Sequence, residues 1–296
     1  MATLSLSAVD RSIRVKCQDT EAQALLEANY GSMRGNRGAP DLNYAVGRQK
    51  RSSAFFIMRE GRTTLRASCD GELLYLLDKD ITIELQKLRR DLYFVHAAVL
   101  EFAGKAVMLV GTNKSGKSTT AWALLQQGFY YLSDELGPVD LKTLEVYPYP
   151  RALWLRRELP GSHLPSENIV HTSWTLYVPT EFLPTRDSVS PLPLGAIFFV
   201  CYRPEISRPA VRPISKAEGG ARLFANALNP LAHPGGGLDS AIEIVRRSAC
   251  FELITADLPA TCALVKATLK GLSNGYGETE LYDAADDLAS PGCLPG

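Results

Sequence analysis

Polar and apolar residues alternate over Ser12–Cys17 (SIRVKC), a period of two that predicts a strand. Asp19 then opens DTEAQALLEANYG, where the apolar spacing is helical and Gly31 ends the run, so residues 19–31 read as a helix. A Gly-rich loop over 32–43 leads to NYAVGRQ, AFFIMRE and TTLRASC, three short stretches that read as a meander with a turn at Glu60-Gly61-Arg62. The longest helical pattern covers 70–90, where Leu73, Leu74, Leu77, Ile81, Leu85 and Leu88 recur at intervals of three and four.

The pattern changes after residue 92. YFVHAAVLEF (93–102) and AVMLVG (106–111) are apolar runs of strand length, separated by a turn at Ala103-Gly104-Lys105. A helix STTAWALLQQG follows, closed by Gly128, and then a strand FYYLSDE (129–135) that ends in two acids. LEVYPYPRALWLR (144–156) reads as strand interrupted by prolines. From Glu158 to about Pro193 the chain is rich in Pro, Ser, Thr and His, a long, partly irregular excursion of the kind that often forms a lid or substrate loop. LGAIFFVCYR (194–203) is a buried strand. Helices over 215–228 and 239–249 flank a Gly/Pro loop, and a strand (250–258) and a last helix (259–271) close the pattern. Residues 272–296 contain Glu278, Glu280, Asp283, Asp286 and Asp287 but no Lys or Arg, and read as an acidic disordered tail.

Composition adds little to this α/β reading. Of the 296 residues 46% are apolar and 22% charged, which is ordinary for a globular chain. Lys plus Arg and Asp plus Glu both number 32, which argues against a nucleic-acid partner. The six cysteines are scattered with no C-x-x-C pair, as in a reduced compartment, and the four histidines share no metal spacing with them. With no 20-residue apolar run and no basic-then-apolar start, neither a membrane span nor a signal peptide is expected, and the expected location is the cytoplasm.

The chemistry concentrates in one segment. Gly111-Thr112-Asn113-Lys114-Ser115-Gly116-Lys117-Ser118 fits G-x-x-x-x-G-K-[ST] without a mismatch, between a β-rich run and a helical one, with Thr119 next in the helix. Glycines let consecutive backbone N–H groups turn inward around phosphate oxygens, and the helix points its positive end at the same anion. Lys117 would reach the β- and γ-phosphates, and Ser118 would hold Mg²⁺. Asp134 and Glu135 close the next strand. Strand C-termini of an open α/β sheet gather at the edge where the phosphate sits, so these acids should face the γ-phosphate and its metal. His96 sits within an apolar run, where a satisfied core histidine is the ordinary reading. Arg151, Arg156, Arg203 and Arg212 are candidates for a phosphate clamp, although each alone is an ordinary surface residue. The basic clusters RGNRG and GRQKR read as solvated loops.

VHAAVLEFAGKAVMLVGTNKSGKSTTAWALLQQGFYYLSDE resembles the catalytic core of the HPr kinase/phosphorylase family, whose fold is similar to phosphoenolpyruvate carboxykinase. The resemblance covers residues 93 to about 136, with a looser likeness of layout to about 270. It implies a P-loop kinase domain over 92–271; the residue pattern places a small N-terminal α/β domain over 1–91, unlike the family's usual regulatory domain, and the tail over 272–296, so the chain reads as HPr-kinase-like rather than as a true HPr kinase. It makes Lys117 and Ser118 the phosphate and Mg²⁺ residues, His96 a catalytic-site histidine, and Asp134 and Glu135 the acid pair, one of which accepts the proton of the substrate hydroxyl. The second acid is Glu where the family has Asp, which leaves open which of the two is the base. The family's Glu-Ile-Arg-Gly stretch has no counterpart; the segment in its place is YPYPRALWLR. The expected activity is transfer of the γ-phosphate of ATP, with Mg²⁺, to a hydroxyl on a peptide, protein or small molecule. A homo-oligomer remains open. A non-catalytic nucleotide-dependent binding protein and a phosphoenolpyruvate-carboxykinase-like enzyme are the alternatives. A GTPase-type switch ranks low, because no N-K-x-D follows the loop.

Overall fold

The computed structural model describes residues 2–35, 38–49, 54–156, 169–172, 175–186 and 190–274, a mixed α/β architecture with three sheets. Strands β1 (Ala2–Ala8) and β2 (Arg11–Cys17) form an antiparallel hairpin in register from Ala2↔Cys17 to Ala8↔Arg11. Helix α1 (Thr20–Tyr30) starts where the Asp19 carboxylate accepts the Ala22 N–H at 2.8 Å, satisfying one of the helix's orphan donors. It crosses over to β3 (Leu42–Arg48), parallel to β2, and β4 (Phe55–Arg59) and β5 (Arg62–Ala67) complete a five-stranded sheet. Helix α2 (Asp70–Leu88) covers that sheet with Leu73, Leu74, Leu77, Ile81 and Leu85, all fully buried. Strand β1 lies in a stretch read only for its lack of a leader. Its Leu4 and Leu6 are buried and are held there by pairing with β2.

The larger unit is a nine-stranded sheet. In chain order it is entered by β6 (Leu92–Val95), β7 (Ala97–Phe102) and β8 (Lys105–Val110), then α3 (Lys117–Leu125) and β9 (Tyr130–Ser133). Next come β10 (Gly137–Asp140), β11 (Glu145–Val146) and, apart from this sheet, β12 (Leu153–Leu155), β13 (Val170–His171) and β14 (Leu176–Val178). The sheet resumes with the long β15 (Leu192–Tyr202) and β16 (Ala210–Pro213). Helices α4 (Lys216–Ala225) and α5 (Leu238–Arg246) precede β17 (Ala249–Thr255) and α6 (Leu258–Ser273). Strand β15 runs parallel to β8 on one side and to β17 on the other, so three neighbouring strands end together at the edge where the loop 111–116 begins. On the far side of β8 lies β7, antiparallel to it, and then β9, antiparallel to β7 and so parallel to β8.

One expectation changes. The run 93–102 is not one strand but two, divided at His96. Strand β6 pairs with β10, whereas β7 pairs with β8 and β9, and the chain changes partners at this residue. His96 is therefore not a mid-strand core residue; its N–H is taken by Asn226 O at 2.8 Å and its ring is free to turn toward the sheet edge. The excursion over 158–193, read as partly irregular, carries short strands. Its described residues include β13 and β14, which join β12 in a three-stranded sheet. Residues 157–168, the tail from 275 onward, and Arg37, Lys50 and Arg51 of the basic clusters lie outside the described residues.

One apolar core runs from the N-terminal sheet into the larger unit. Leu6, Val15, Leu26, Leu77 and Leu85 pack in the same cluster as Leu92, Phe94, Leu136, Tyr149, Ala152 and Tyr177. The N-terminal five-stranded unit is thus seated on the segments that follow the acid pair. Among the described residues no helix is long and apolar enough to cross a membrane.

Candidate active site

Strand β8 ends at Val110, and the loop 111–116 delivers the chain to α3. Its shape needs glycine at both ends. Gly116 caps α3 at φ 97°, in the left-handed region open to glycine at little cost. A methyl group on Gly111 would stand 2.6 Å from Ser115 Oγ and 2.8 Å from Val200 O. Ser115 Oγ is itself buried without a partner. Lys117, only 5% exposed, folds its ammonium back over the loop, where Nζ donates to Gly111 O at 2.8 Å and Thr112 O at 3.2 Å. Burial pushes its pKa down, opposed by the charges of Glu135 and Asp134. At the tip, Arg156 Nη2 donates to Asn113 Oδ1 at 2.6 Å, so one of the four arginine candidates does reach the loop.

The two acids follow β9 directly, and their environments differ. Asp134 is fully buried and accepts a bifurcated hydrogen bond from Ser118 Oγ at 3.1 and 3.2 Å. Burial pushes its carboxyl up, reinforced by Glu135 and opposed by Arg151, Ser118 and Lys117. Glu135 adopts φ 70°, a left-handed conformation uncommon for a side chain of its size, and 43% of its side chain is exposed. Its Oε2 lies 2.6 Å from His96 Nε2. Burial works to raise its carboxyl, but the His96 hydrogen bond, with the charges of His96, Lys117 and Arg151, holds it below the usual range. Adjacent carboxyls driven in opposite directions are the pattern of divided acid–base roles.

Arg151 corrects its surface expectation. It is 1% exposed, among the largest fully buried side chains of the described residues. Its Nε lies 3.2 Å from Asp78 Oδ2, Nη1 donates to Ala152 O at 3.1 Å, and the guanidinium sits 3.7 Å over the Trp154 ring. Asp78 also accepts from Tyr30 Oη at 3.2 Å and Tyr149 Oη at 2.9 Å. Tyr131 Oη donates to Arg151 O at 3.0 Å, tying the strand before the acids to the same cluster. Asp78 was not singled out from the sequence. The signal available was its position, a carboxylate four residues after Leu74 and three before Ile81 on the apolar stripe of α2. Arg212 belongs elsewhere; it pairs with Glu252 at 2.6 Å on the sheet's outer strands.

The donor set suits a hard cation. Ser118 and Asp134 offer a hydroxyl and a carboxylate already in contact, with Glu135 beside them and no sulfur or imidazole in the pair. Mg²⁺ characteristically takes one or two carboxylates and completes its shell with phosphate and water, which matches so sparse a protein contribution.

No protein-family model and no curated protein sequence matches the chain. Among solved structures, the Hpr(Ser) kinase/phosphatase from Coxiella burnetii aligns over 67% of this chain and 99% of its own, at 11% identity and a TM-score of 0.31. A likeness so loose assigns neither a family nor an activity.

Proposed function

We propose that the protein is a phosphotransferase that moves the γ-phosphate of ATP to a hydroxyl on a peptide, protein or small molecule, in a P-loop domain of the HPr kinase type. The observation that carries this reading is the pair of hydrogen bonds Ser118–Asp134 and His96–Glu135, which set two unlike carboxylates beside one phosphate loop. A loop for binding phosphate alone needs neither.

In this reading the loop 111–116 and the N-terminus of α3, from Lys117 to Thr119, hold the triphosphate. Lys117 exchanges its two carbonyl partners for phosphate oxygens. Ser118 and Asp134 would hold Mg²⁺, which when bound neutralises charge on the phosphates. We assign the base to Glu135 with His96 rather than to Asp134, because Glu135 is open to an arriving hydroxyl and Asp134 is fully buried against Ser118. The acceptor oxygen attacks the γ-phosphorus, its proton passes to the Glu135–His96 pair, and the bond to the β-phosphate oxygen breaks to release ADP. The left-handed backbone of Glu135 turns its side chain away from the strand and toward His96.

The test is incubation with γ-labelled ATP and Mg²⁺ over a panel of seryl peptides and small alcohols. Label should appear on an acceptor and be lost in Lys117→Ala. Transfer at the wild-type rate in that variant overturns the mechanism. Tight ATP binding with neither transfer nor hydrolysis would point instead to a nucleotide-dependent binding protein.

A further inference from the structure

The sheet order gives a bound nucleotide a direction. The γ-phosphate side is set by Ser118, Asp134 and His96, which belong to α3, the end of β9 and the start of β7, all to one side of β8. On the other side stands β15. Its Phe199 is level with Val110, the last residue of β8, so Val200, Cys201 and Tyr202 run on beside the loop. The contact is close. A methyl group on Gly111 would stand 2.8 Å from Val200 O, and one on Gly116 would stand 3.4 Å from Tyr202 Cβ. Tyr202 is level with Thr255 at the end of β17. A triphosphate whose γ end faces the acids must leave the loop on this opposite flank, where its ribose and base follow.

Tyr202 is half-exposed there, at 50%, while the preceding strand residues Ala196 to Val200 are buried. An aromatic ring left in solvent at the end of a core strand, with its Cβ beside Gly116 of the loop, presents a flat apolar face on this flank. We propose that Tyr202 is the platform on which the base of the bound nucleotide stacks. This rests on the phosphate-loop reading above and adds a recognition element for the base. Stacking on a side chain is tolerant of base identity, so Tyr202 supplies affinity for nucleotides over plain polyphosphate without selecting adenine over guanine.

The experiment compares Mg²⁺-ATP with Mg²⁺-tripolyphosphate by calorimetry on the full chain and on Tyr202→Phe, Tyr202→Leu and Tyr202→Ala. The wild type should bind ATP more tightly than tripolyphosphate. Tyr202→Ala and Tyr202→Leu should each weaken ATP by about 5–30-fold, the lower part of the range for one stacked base. Tripolyphosphate should be unchanged, and Tyr202→Phe should keep ATP affinity. Equal wild-type affinity for the two ligands, or equal losses of both in the variants, overturns the stacking role and leaves the phosphate loop standing. Binding of neither ligand by the wild type overturns both. The wild-type comparison needs no variant, so it decides even where a substitution fails to fold.

Discussion

Asp78 and Asp134 are both buried carboxylates, both feel Arg151, and burial raises both. They differ in what surrounds them. Asp78 is the more fully compensated, with the Arg151 Nε charge 3.2 Å from Oδ2 and two tyrosine hydroxyls donating to Oδ1. Among the described residues Asp134 has one side-chain donor, the Ser118 hydroxyl, at the long distances of 3.1 and 3.2 Å. A buried charge costs several kcal/mol unless paired and hydrogen-bonded. Asp78 offsets that cost within the fold; Asp134 largely does not, and is left with capacity to bind. The comparison separates a carboxylate paired across two units from one that, in the proposed function, would take up a ligand.

The largest effect should come from breaking the compensated site. Asp78→Ala strands the fully buried Arg151 guanidinium and two tyrosine hydroxyls, and should lower stability by about 3–5 kcal/mol in urea unfolding. Because Asp78 lies on α2 and Arg151 just before β12, the loss should be felt across both units in one transition. A loss under 1 kcal/mol would mean the cluster is not the joint it is taken for.

Asp134→Asn should do the reverse. It keeps the shape and an acceptor for Ser118 while removing an under-compensated charge, so the melting temperature should hold or rise. Phosphoryl transfer should fall by about 10²–10³-fold, the usual cost of deleting one group that stabilises developing charge. A destabilised protein with full activity would place Asp134 with Asp78 among the structural acids.

Ligand-linked stability sharpens the contrast. Mg²⁺-ATP at about 100 times its Kd should add about 2.7 kcal/mol to unfolding of the wild type. The increment should survive in Asp78→Asn, whose site residues are intact, and shrink in Asp134→Asn. Paired urea titrations with and without Mg²⁺-ATP read this directly.

The two acids were also unequally legible in the sequence. Asp134 was singled out because of its neighbours: a glycine-bounded loop, a helix and a strand ending in acids are local patterns, each set by residues close in the chain. Asp78 depends on Arg151, 73 positions later, and no local rule links them. The same divide runs through the fold. The helices α2, α3 and α6 carry periodic apolar spacing and were readable. Strand β10 was not, since Gly137 and Pro138 carry no strand pattern; pairing with β6, some 40 residues earlier, and with β11 makes it a strand. The break at His96 was hidden for a related reason. Apolar runs reveal burial, and both β6 and β7 are buried, but nothing in their composition marks where one exchanges partners. A second glycine cluster, Gly235-Gly236-Gly237 before α5, shows the limit from the other side. Gly237 caps that helix at φ 84° much as Gly116 caps α3, yet the first turn carries Asp239, whose carboxylate lies over Gly235. Backbone shape alone does not make a phosphate site; the residues that follow it decide.

The smallest effect concerns a third carboxylate, Glu252, intermediate between the other two. It is buried, but its partners are not: Arg212 at 2.6 Å and Arg222 at 2.8 Å are both substantially solvated. The hydrogen bond from Arg212, then that from Arg222, holds its carboxyl below the usual range despite burial. A folded pKa below the unfolded value means the native state binds the proton less readily. The stabilisation is therefore fully present above the unfolded value of about 4.3 and is lost as pH falls through the lower, folded one. Solvation of both arginines limits it to about 0.2–1 kcal/mol. Glu252→Gln should accordingly cost little at pH 7 and flatten the acid limb of the stability curve below pH ~4, with nucleotide binding unchanged. A loss as large as that of Asp78→Ala would show that compensation by solvated partners counts as much as compensation by buried ones, and would remove the distinction drawn between the two buried aspartates.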